Sequence, residues 1–418
     1  MRTAYKVRAY PDPEQAAQLG RTFGCVRLVW NKTLAERRTA YHQRGERTTY
    51  QQTDAALTGW KKTQELAFLS EVSSVPLQQT LRHQHTAFSN FFAGRARHPR
   101  FKSRSGRQSA HYTRSAFRIR DGELFLAKQK TPLRLAWSFD EVDLRTLDPT
   151  TVVVSREPDG RWYATFAVEV DDPALAPGVG PVVGIDLGVA DFATLSTGER
   201  IPNPRHLARK AKNLARYQRR MARKVKGSNN RRKAKRKVAV AHRKVRHARN
   251  DFLHKTTTRL VREHDVIAIE DLNVSGMTAS ASGTLQAPGK RVRCKAGLNR
   301  AVLDASFGEF RRQLEYKAQR CGHTVVVIDR WFPSSKTCSE CGHLLRSLSL
   351  GTRFWECPAC RVRHDREVNA AKNIEAAGRA VLRGKAPGYA CGAGVRRPGS
   401  PLPRSATKQE TAVVRQSA

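Results

Sequence analysis

Two kinds of residue in this chain are spaced for chemistry. CSEC and CPAC put Cys338, Cys341, Cys357 and Cys360 into two CxxC pairs with fifteen residues between them. In a reducing compartment that spacing makes a tetrahedral structural zinc site rather than two disulfides. Each pair is a tight knuckle whose backbone N–H groups can face sulfur, and Gly342 and Pro358 lie where such turns need them. Cys25, Cys294, Cys321 and Cys391 are scattered and read as packing residues or surface thiols. The second kind is carboxylate. Asp186 closes the apolar run VVGI, and Glu270 closes VIAI, with Asp271 next to it and therefore on the opposite face. HDREVNAAKNI, just past the last cysteine, adds Asp365 and Glu367. Either acid there could hold a metal, or only serve the first turn of a helix.

Acids from three distant segments, each at an element end facing one sheet edge, would suit hard divalent cations. Mg²⁺ takes a few carboxylates together with water and phosphate oxygens. Two such ions about 4 Å apart activate a water and stabilise a leaving oxygen in phosphodiester cleavage. That chemistry needs no nucleophilic side chain. The chain has no glycine-rich phosphate loop followed by Lys and no HExxH, which argues against a P-loop ATPase or a zincin.

The elements that must position these groups follow from pattern. AYKVRAYP is a strand, PDPEQ opens a helix, and CVRLVWNKTLAERRTAY and VPLQQTLRHQHTAFSNFFAG are helical, followed by the basic loop RARHPRFKSRSGRQ. FRIRDGELFLA and TVVVSREPDGRWYATFAVEV are hairpins around Asp-Gly, which predict a small barrel or sandwich. DDPALAPGVGP marks a boundary. VVGIDLGVADFATLSTGERI is strand, turn, strand; two basic helices follow, broken at GSNN; then come a strand ending at Glu270, the helix LDASFGEFRRQLEYKAQRCG, the strand HTVVVIDRWF and the helix VNAAKNIEAAGRAVL. This order is the one expected of a ribonuclease-H-like α/β fold.

Charge names the partner. Against 36 Asp+Glu stand 77 Lys+Arg, a formal charge of +41, and no acid occurs between Arg205 and Asn250. Such self-repulsion calls for a polyanion, so nucleic acid is the expected partner. The 39% of hydrophobic residues still builds cores. The N-terminus has no apolar signal region and no run reaches eighteen apolar residues, so a soluble, cytoplasmic, nucleoid-associated protein with no membrane partner is expected.

GIDLGV, IEDLNVSGM, SSKTCSECG with CPAC, and DREVNAAKNI, in that order, resemble the RuvC-like core and zinc ribbon of the transposon-encoded TnpB (OrfB) family, relatives of the type V CRISPR effectors. AYKVRAYPDPEQ, GCVRLVWN and HPRFKSR extend the likeness to nearly the whole chain, up to about Ala386. The resemblance implies an RNA-guided DNA endonuclease encoded by a transposon. Its partners would be a guide RNA from the transposon end and a double-stranded DNA target beside a short motif, and it would cut with Mg²⁺. The implied fold is multidomain α/β: an RNase H-like (RuvC) core with a four-cysteine zinc ribbon insertion, after a β-rich N-terminal domain carrying a helical insertion. Residues 1–175 would be a β-barrel-like, nucleic-acid-binding domain with its insertion at about 12–105, and 176–332 the nuclease core with a basic hairpin at about 205–255. Residues 333–363 would be the ribbon, 364–386 the last core segment and 387–418 a disordered tail.

Residue by residue, Asp186 and Glu270 match the first two Mg²⁺-binding acids of the family. The third, normally Asp two residues before the Asn of NAA, is Glu367 here. Its extra methylene moves the carboxylate by roughly 1 Å, a displacement that can cost about a hundredfold at a reacting centre. Asp365 is then the helix-start acid. The alternative to an attenuated nuclease is a nuclease-impaired RNA-guided protein acting by target occupancy. A joining transposase is disfavoured, since no tyrosine nucleophile stands in a recognisable setting.

Overall fold

The computed structural model describes residues 2–140, 142–170, 180–384 and 388–392. The Pro/Gly boundary lies mostly outside them, at 171–179, as does the tail from 393 onward. The chain divides into two compact units, Met1–Asp171 with Leu214–Arg243, and Asp172–Asn213 with Lys244–Ala418.

In the first unit, β1 (Arg2–Ala9) leads into α1 (Pro13–Arg44), whose Asp12 and Gln15 form a reciprocal capping box ahead of Pro13. Then come α2 (Tyr50–Lys62), α3 (Ser74–Phe92), β2 (Gln108–Thr113), β3 (Phe117–Arg120), β4 (Glu123–Leu126), β5 (Leu135–Ala136), β6 (Pro149–Arg156) and β7 (Trp162–Glu169). Both Asp-Gly hairpins form, β3 with β4 and β6 with β7. Asp121 and Gly122 both take positive φ, the geometry that two-residue hairpin turns demand. Where the sequence predicts a small barrel or sandwich, the described residues form a five-stranded sheet in the order β2-β6-β7-β1-β5, with β3-β4 as a separate hairpin. Apolar residues of that hairpin, Leu124 and Leu126, share a core with the sheet residues Val152, Val154 and Phe166, so the hairpin covers the sheet without joining it.

The second unit holds β8 (Val182–Leu187), β9 (Asp191–Leu195), β10 (Arg200–Pro202), the start of α4 (His206–Ala222) and most of α5 (Asn229–Glu263). It continues with β11 (Val266–Glu270), α6 (Val274–Met277), α7 (Val292–Ala305), α8 (Phe307–Cys321), β12 (Thr324–Ile328), β13 (Phe354–Glu356), β14 (Arg363–Asp365), α9 (Arg366–Leu382) and β15 (Gly388–Gly392). The predicted single helix LDASFGEFRRQLEYKAQRCG is two helices. Ser306 takes positive φ between them, and α8 ends at Gly322 in the same left-handed region. Residues 388–392, expected to be disordered, form β15 antiparallel to β12; the strand occupies an edge whose N–H and C=O groups would otherwise lack partners.

The six-stranded sheet runs β10-β9-β8-β11-β12-β15. Strands β8, β11 and β12 are mutually parallel, while β8-β9 and β9-β10 are antiparallel. Parity decides which face each residue serves. Val183, Ile185, Ile267 and Ile269 pack with Leu253, Leu260, Phe307, Phe310 and Leu314, the helical layer of α5 and α8. Val266, Ala268 and Val326 pack with Ile374 of α9 on the other face. The result is a three-layer α/β/α unit.

Candidate active site

The same parity fixes where the acids go. Ile185 pairs with Ile269, so Asp186 and Glu270 are next in register, both on the α9 side. Asp271, one residue on, faces the other way and is ion-paired with Arg311 of α8 at 2.7 Å and with Arg330.

Helix α9 reaches this face closely because two contact points lack a side chain. A Cβ on Gly184 would meet the Ala371 carbonyl oxygen at 2.1 Å, and one on Gly378 would meet the Ala268 Cβ at 2.5 Å. The buried Ala370 and Ala371 complete the close face. Asp365 caps the helix, accepting from the backbone N–H groups of Glu367 and Val368 at 3.1 Å each. Glu367 therefore lies in the first turn, beside the strand ends.

Asp186 registers the convergence. Burial, reinforced by the negative charges of Glu270 and then Glu367, pushes its carboxyl up to about 7, against a weaker opposing pull from Arg366. Burial also raises Glu270, although Ser334 donates a 2.5 Å hydrogen bond to it. Glu367 is differently engaged. Arg353 donates to its Oε1, and Arg200 to its Oε2 at 3.3 Å. Arg200 also reaches Asp365 at 2.5 Å and Asp191 at 2.9 Å. Asp186, Glu270 and Glu367 thus share one field, with two guanidinium groups holding the third carboxylate.

The four cysteines form the second centre. Their sulfurs lie within 4.8 Å of one another, the one such ligand set among the described residues. The Cys338–Cys360 and Cys341–Cys357 pairs are each 3.6 Å apart. A tetrahedral ion with Zn–S bonds of about 2.3 Å needs sulfur edges of roughly 3.8 Å, so the donor set fits zinc. Buried His364 places Nε2 3.0 Å from the Cys338 sulfur, its ring 4.7 Å from that of Trp355.

The two centres are wired together by residues that sequence reasoning passed over. Asn369 and Asn373 each donate to the Thr337 carbonyl at 2.7 Å, and Asn369 accepts from Ser339 N–H at 2.9 Å. Asn373 also donates to the Ser334 carbonyl at 2.8 Å, and Ser334 is the residue that holds Glu270. The available signal was two asparagines at i and i+4 flanking buried alanines, polar groups on a face that otherwise demands apolar ones.

Comparison with known proteins gives three family matches. Residues 165–281 match a model described as "Probable transposase", 307–374 one described as "Cas12f1-like, TNB domain", and 1–46 a "Helix-turn-helix domain". In this chain the last region is a strand and one continuous helix. A Streptomyces pristinaespiralis protein named "Putative RNA-guided DNA endonuclease" is 51% identical, covering 98% of this chain and 96% of its own. Its counterpart InsQ of Escherichia coli K12 is 35% identical over 97% of each. Among solved structures, the chain of a Cas12f1-sgRNA-target DNA complex has a TM-score of 0.50 at 13% identity, covering 90% of this chain and 98% of that one, a likeness of multidomain α/β fold. Identity of this extent over nearly the full length is decisive, and the chain belongs to the TnpB (OrfB) family of transposon proteins.

Proposed function

We propose that this protein is an RNA-guided DNA endonuclease that cuts through Asp186, Glu270 and Glu367 on a ribonuclease-H-like (RuvC) core. The observation that carries the reading is the convergence of those acids, from three distant segments, on the α9 face of one sheet, with Asp186 raised to about 7 by burial and by the other two. Perturbation by desolvation and like charge is the mark of a site built for a cation or a proton. A sheet of antiparallel β10-β9-β8 continued by parallel β11 and β12 supports the ribonuclease-H-like assignment.

The three carboxyl groups do not lie as close together as the cysteine sulfurs do, but oxygen ligands of this kind suit Mg²⁺, which when bound would supply an activated water and charge neutralisation for phosphodiester hydrolysis. The chain's own residues do the rest. Asp186 and Glu270 offer oxygens from rigid strand ends, and Ser334 fixes the Glu270 carboxylate. Asp186 must shed its proton to ligate. Arg200 and Arg353 are placed to take phosphate oxygens once Glu367 turns inward. Zinc held by Cys338, Cys341, Cys357 and Cys360 would keep the ribbon folded, and through Asn369 and Asn373 the ribbon steadies α9. Guide RNA and a DNA target are the partners that the relatives' names and the charge of +41 support, and a short motif beside the target is what the family resemblance implies. Cytoplasmic, nucleoid-associated action goes with them.

A second reading draws on the clamp of Arg353 and Arg200 on Glu367. A protein whose third ligand stays paired would bind its target and leave it intact. Purified with its RNA and given a plasmid library carrying the guide match beside randomised sequence, the protein is expected to linearise a subset sharing one short motif, with Mg²⁺ and not with EDTA. Motif-selective retention without strand breaks would establish the occupancy reading instead.

A further inference from the structure

The first unit holds a cavity that the nuclease chemistry does not use. It opens where the C-terminal ends of α1 and α3 meet the turn after Gly45, and its volume is about 520 Å³, within the roughly 300–1,000 Å³ typical of ligand sites. Part of its wall is aromatic, Tyr41, Phe88, Phe91 and Phe92, and one carboxylate, Glu46, lies on the lining among the basic groups. Two of them are poorly covered for their size, Tyr41 being 58% exposed and Phe92 65%. Guanidinium groups stack on this lining, Arg37 over Phe88 at 5.2 Å and Arg47 over Phe92 at 5.7 Å.

Arg37 is the unusual member. It is 8% exposed and donates to the Thr48 carbonyl at 3.0 Å, yet its Nε and Nη2 are buried without a hydrogen-bond partner. Both nitrogens are fully covered, so an acceptor in the cavity would reach them only by turning the Arg37 side chain toward it, and pairing them would recover the cost of two idle buried donors. Next to the aromatic cavity is a second one of about 510 Å³ that shares Arg38, His42 and His98 with it and adds Arg97, Arg100 and Phe101. Flat aromatic walls beside a cluster of arginines match the two halves of a nucleotide, base and phosphate.

We propose that this pair of cavities captures one unpaired purine of a folded RNA, the base stacking among Tyr41, Phe88 and Phe92 with its acceptor edge toward Arg37, and its phosphate lying against Arg38, Arg97 and Arg100. RNA is favoured over the DNA target for a physical reason. A folded RNA presents splayed bases in its loops and bulges before any target is met, which proteins read by stacking on aromatic and guanidinium planes, whereas target DNA offers unpaired bases only in the strand displaced after the guide has paired. The inference rests on the RNA-guided reading and adds to it a point at which the RNA is gripped by base rather than by backbone.

The test uses the full-length protein freed of nucleic acid and fluorescein-labelled nine-residue oligouridines carrying a central adenine or a central abasic site, followed by anisotropy. The adenine probe should bind about five- to 150-fold more tightly than the abasic one, the range that one stacked base supplies. Tyr41→Ala with Phe92→Ala, both exposed positions, should erase that ratio with an unchanged melting temperature, and Arg37→Met should reduce it. Equal binding of the two probes by the wild type, or a ratio that survives Tyr41→Ala with Phe92→Ala, would overturn the pocket while leaving the RNA-guided reading intact. A larger ratio for the deoxyribose versions would refute RNA as the occupant. Failure to bind any of these probes would likewise overturn the pocket, whereas the RNA-guided reading falls only if the purified protein retains no guide RNA and shows no guide-dependent selection of plasmids in the library experiment.

Discussion

At the scale of the residue, the proposed site rests on three carboxylates with unequal surroundings. Asp186 sits in the deepest field, and its proton is lost only near pH 7 when no cation is present. The folded state then holds a proton that the unfolded chain, with an ordinary value near 3.9, has already released. Stability of the cation-free protein therefore falls as pH rises from about 4 to about 7. Asp186→Asn should remove that loss, gaining roughly 2–4 kcal/mol over wild type at pH 8 and little at pH 4 in thermal denaturation with EDTA. A gain of equal size at both pH values would place the charge strain elsewhere. Asp186, Glu270 and Glu367 were legible one by one in the sequence as acids ending apolar runs or opening a helix. The arginines holding Glu367 were not, because Arg200 and Arg353 lie 167 and 14 residues from it and belong to a chain rich in such groups.

At the scale of the element, the site depends on how closely α9 lies on the sheet. Alternation along VVGID and VIAIE made the two-faced strands readable, and the pattern NAAKNI gave the helix. What could not be read was the contact itself, since Gly184 looks like any glycine near a turn until α9 is seen above it. Gly184→Ala should cost about 2–4 kcal/mol in urea denaturation, because its Cβ would press on backbone atoms at 2.1 and 2.5 Å that cannot yield singly. Gly24→Ala in α1, with nothing within 4 Å, should be neutral or gain up to about 1 kcal/mol. Equal effects would show that the close approach of α9 is not what the glycine permits. Tertiary demands also explain the misread helix: the break at Ser306 is set by what packs around it and leaves no local signature.

At the scale of the whole molecule, charge and length carry the function. An excess of +41 opposes the compact state by self-repulsion, and the stretch without acids forms α4 and the first part of α5, whose faces are largely exposed Lys and Arg. Arg232→Gln with Lys233→Gln and Arg236→Gln should lower the slope of log affinity against log salt for RNA by about two, without a change in melting temperature. An unaltered slope would remove that part of the helical pair from the nucleic-acid interface. The proposed role of Glu367, which stands where the family resemblance implies an aspartate beside Asp186 and Glu270, decides whether the protein cuts. It is tested most directly by plasmid cleavage with the RNA-bound protein in Mg²⁺, comparing wild type with Glu367→Asp, Glu367→Ala, Asp365→Ala and Asp186→Ala. Wild type and Glu367→Asp are expected to cut, Glu367→Ala and Asp186→Ala to bind without cutting, and Asp365→Ala to keep cutting on a less stable α9. Cleavage that survives Glu367→Ala but is abolished by Asp365→Ala would contradict it.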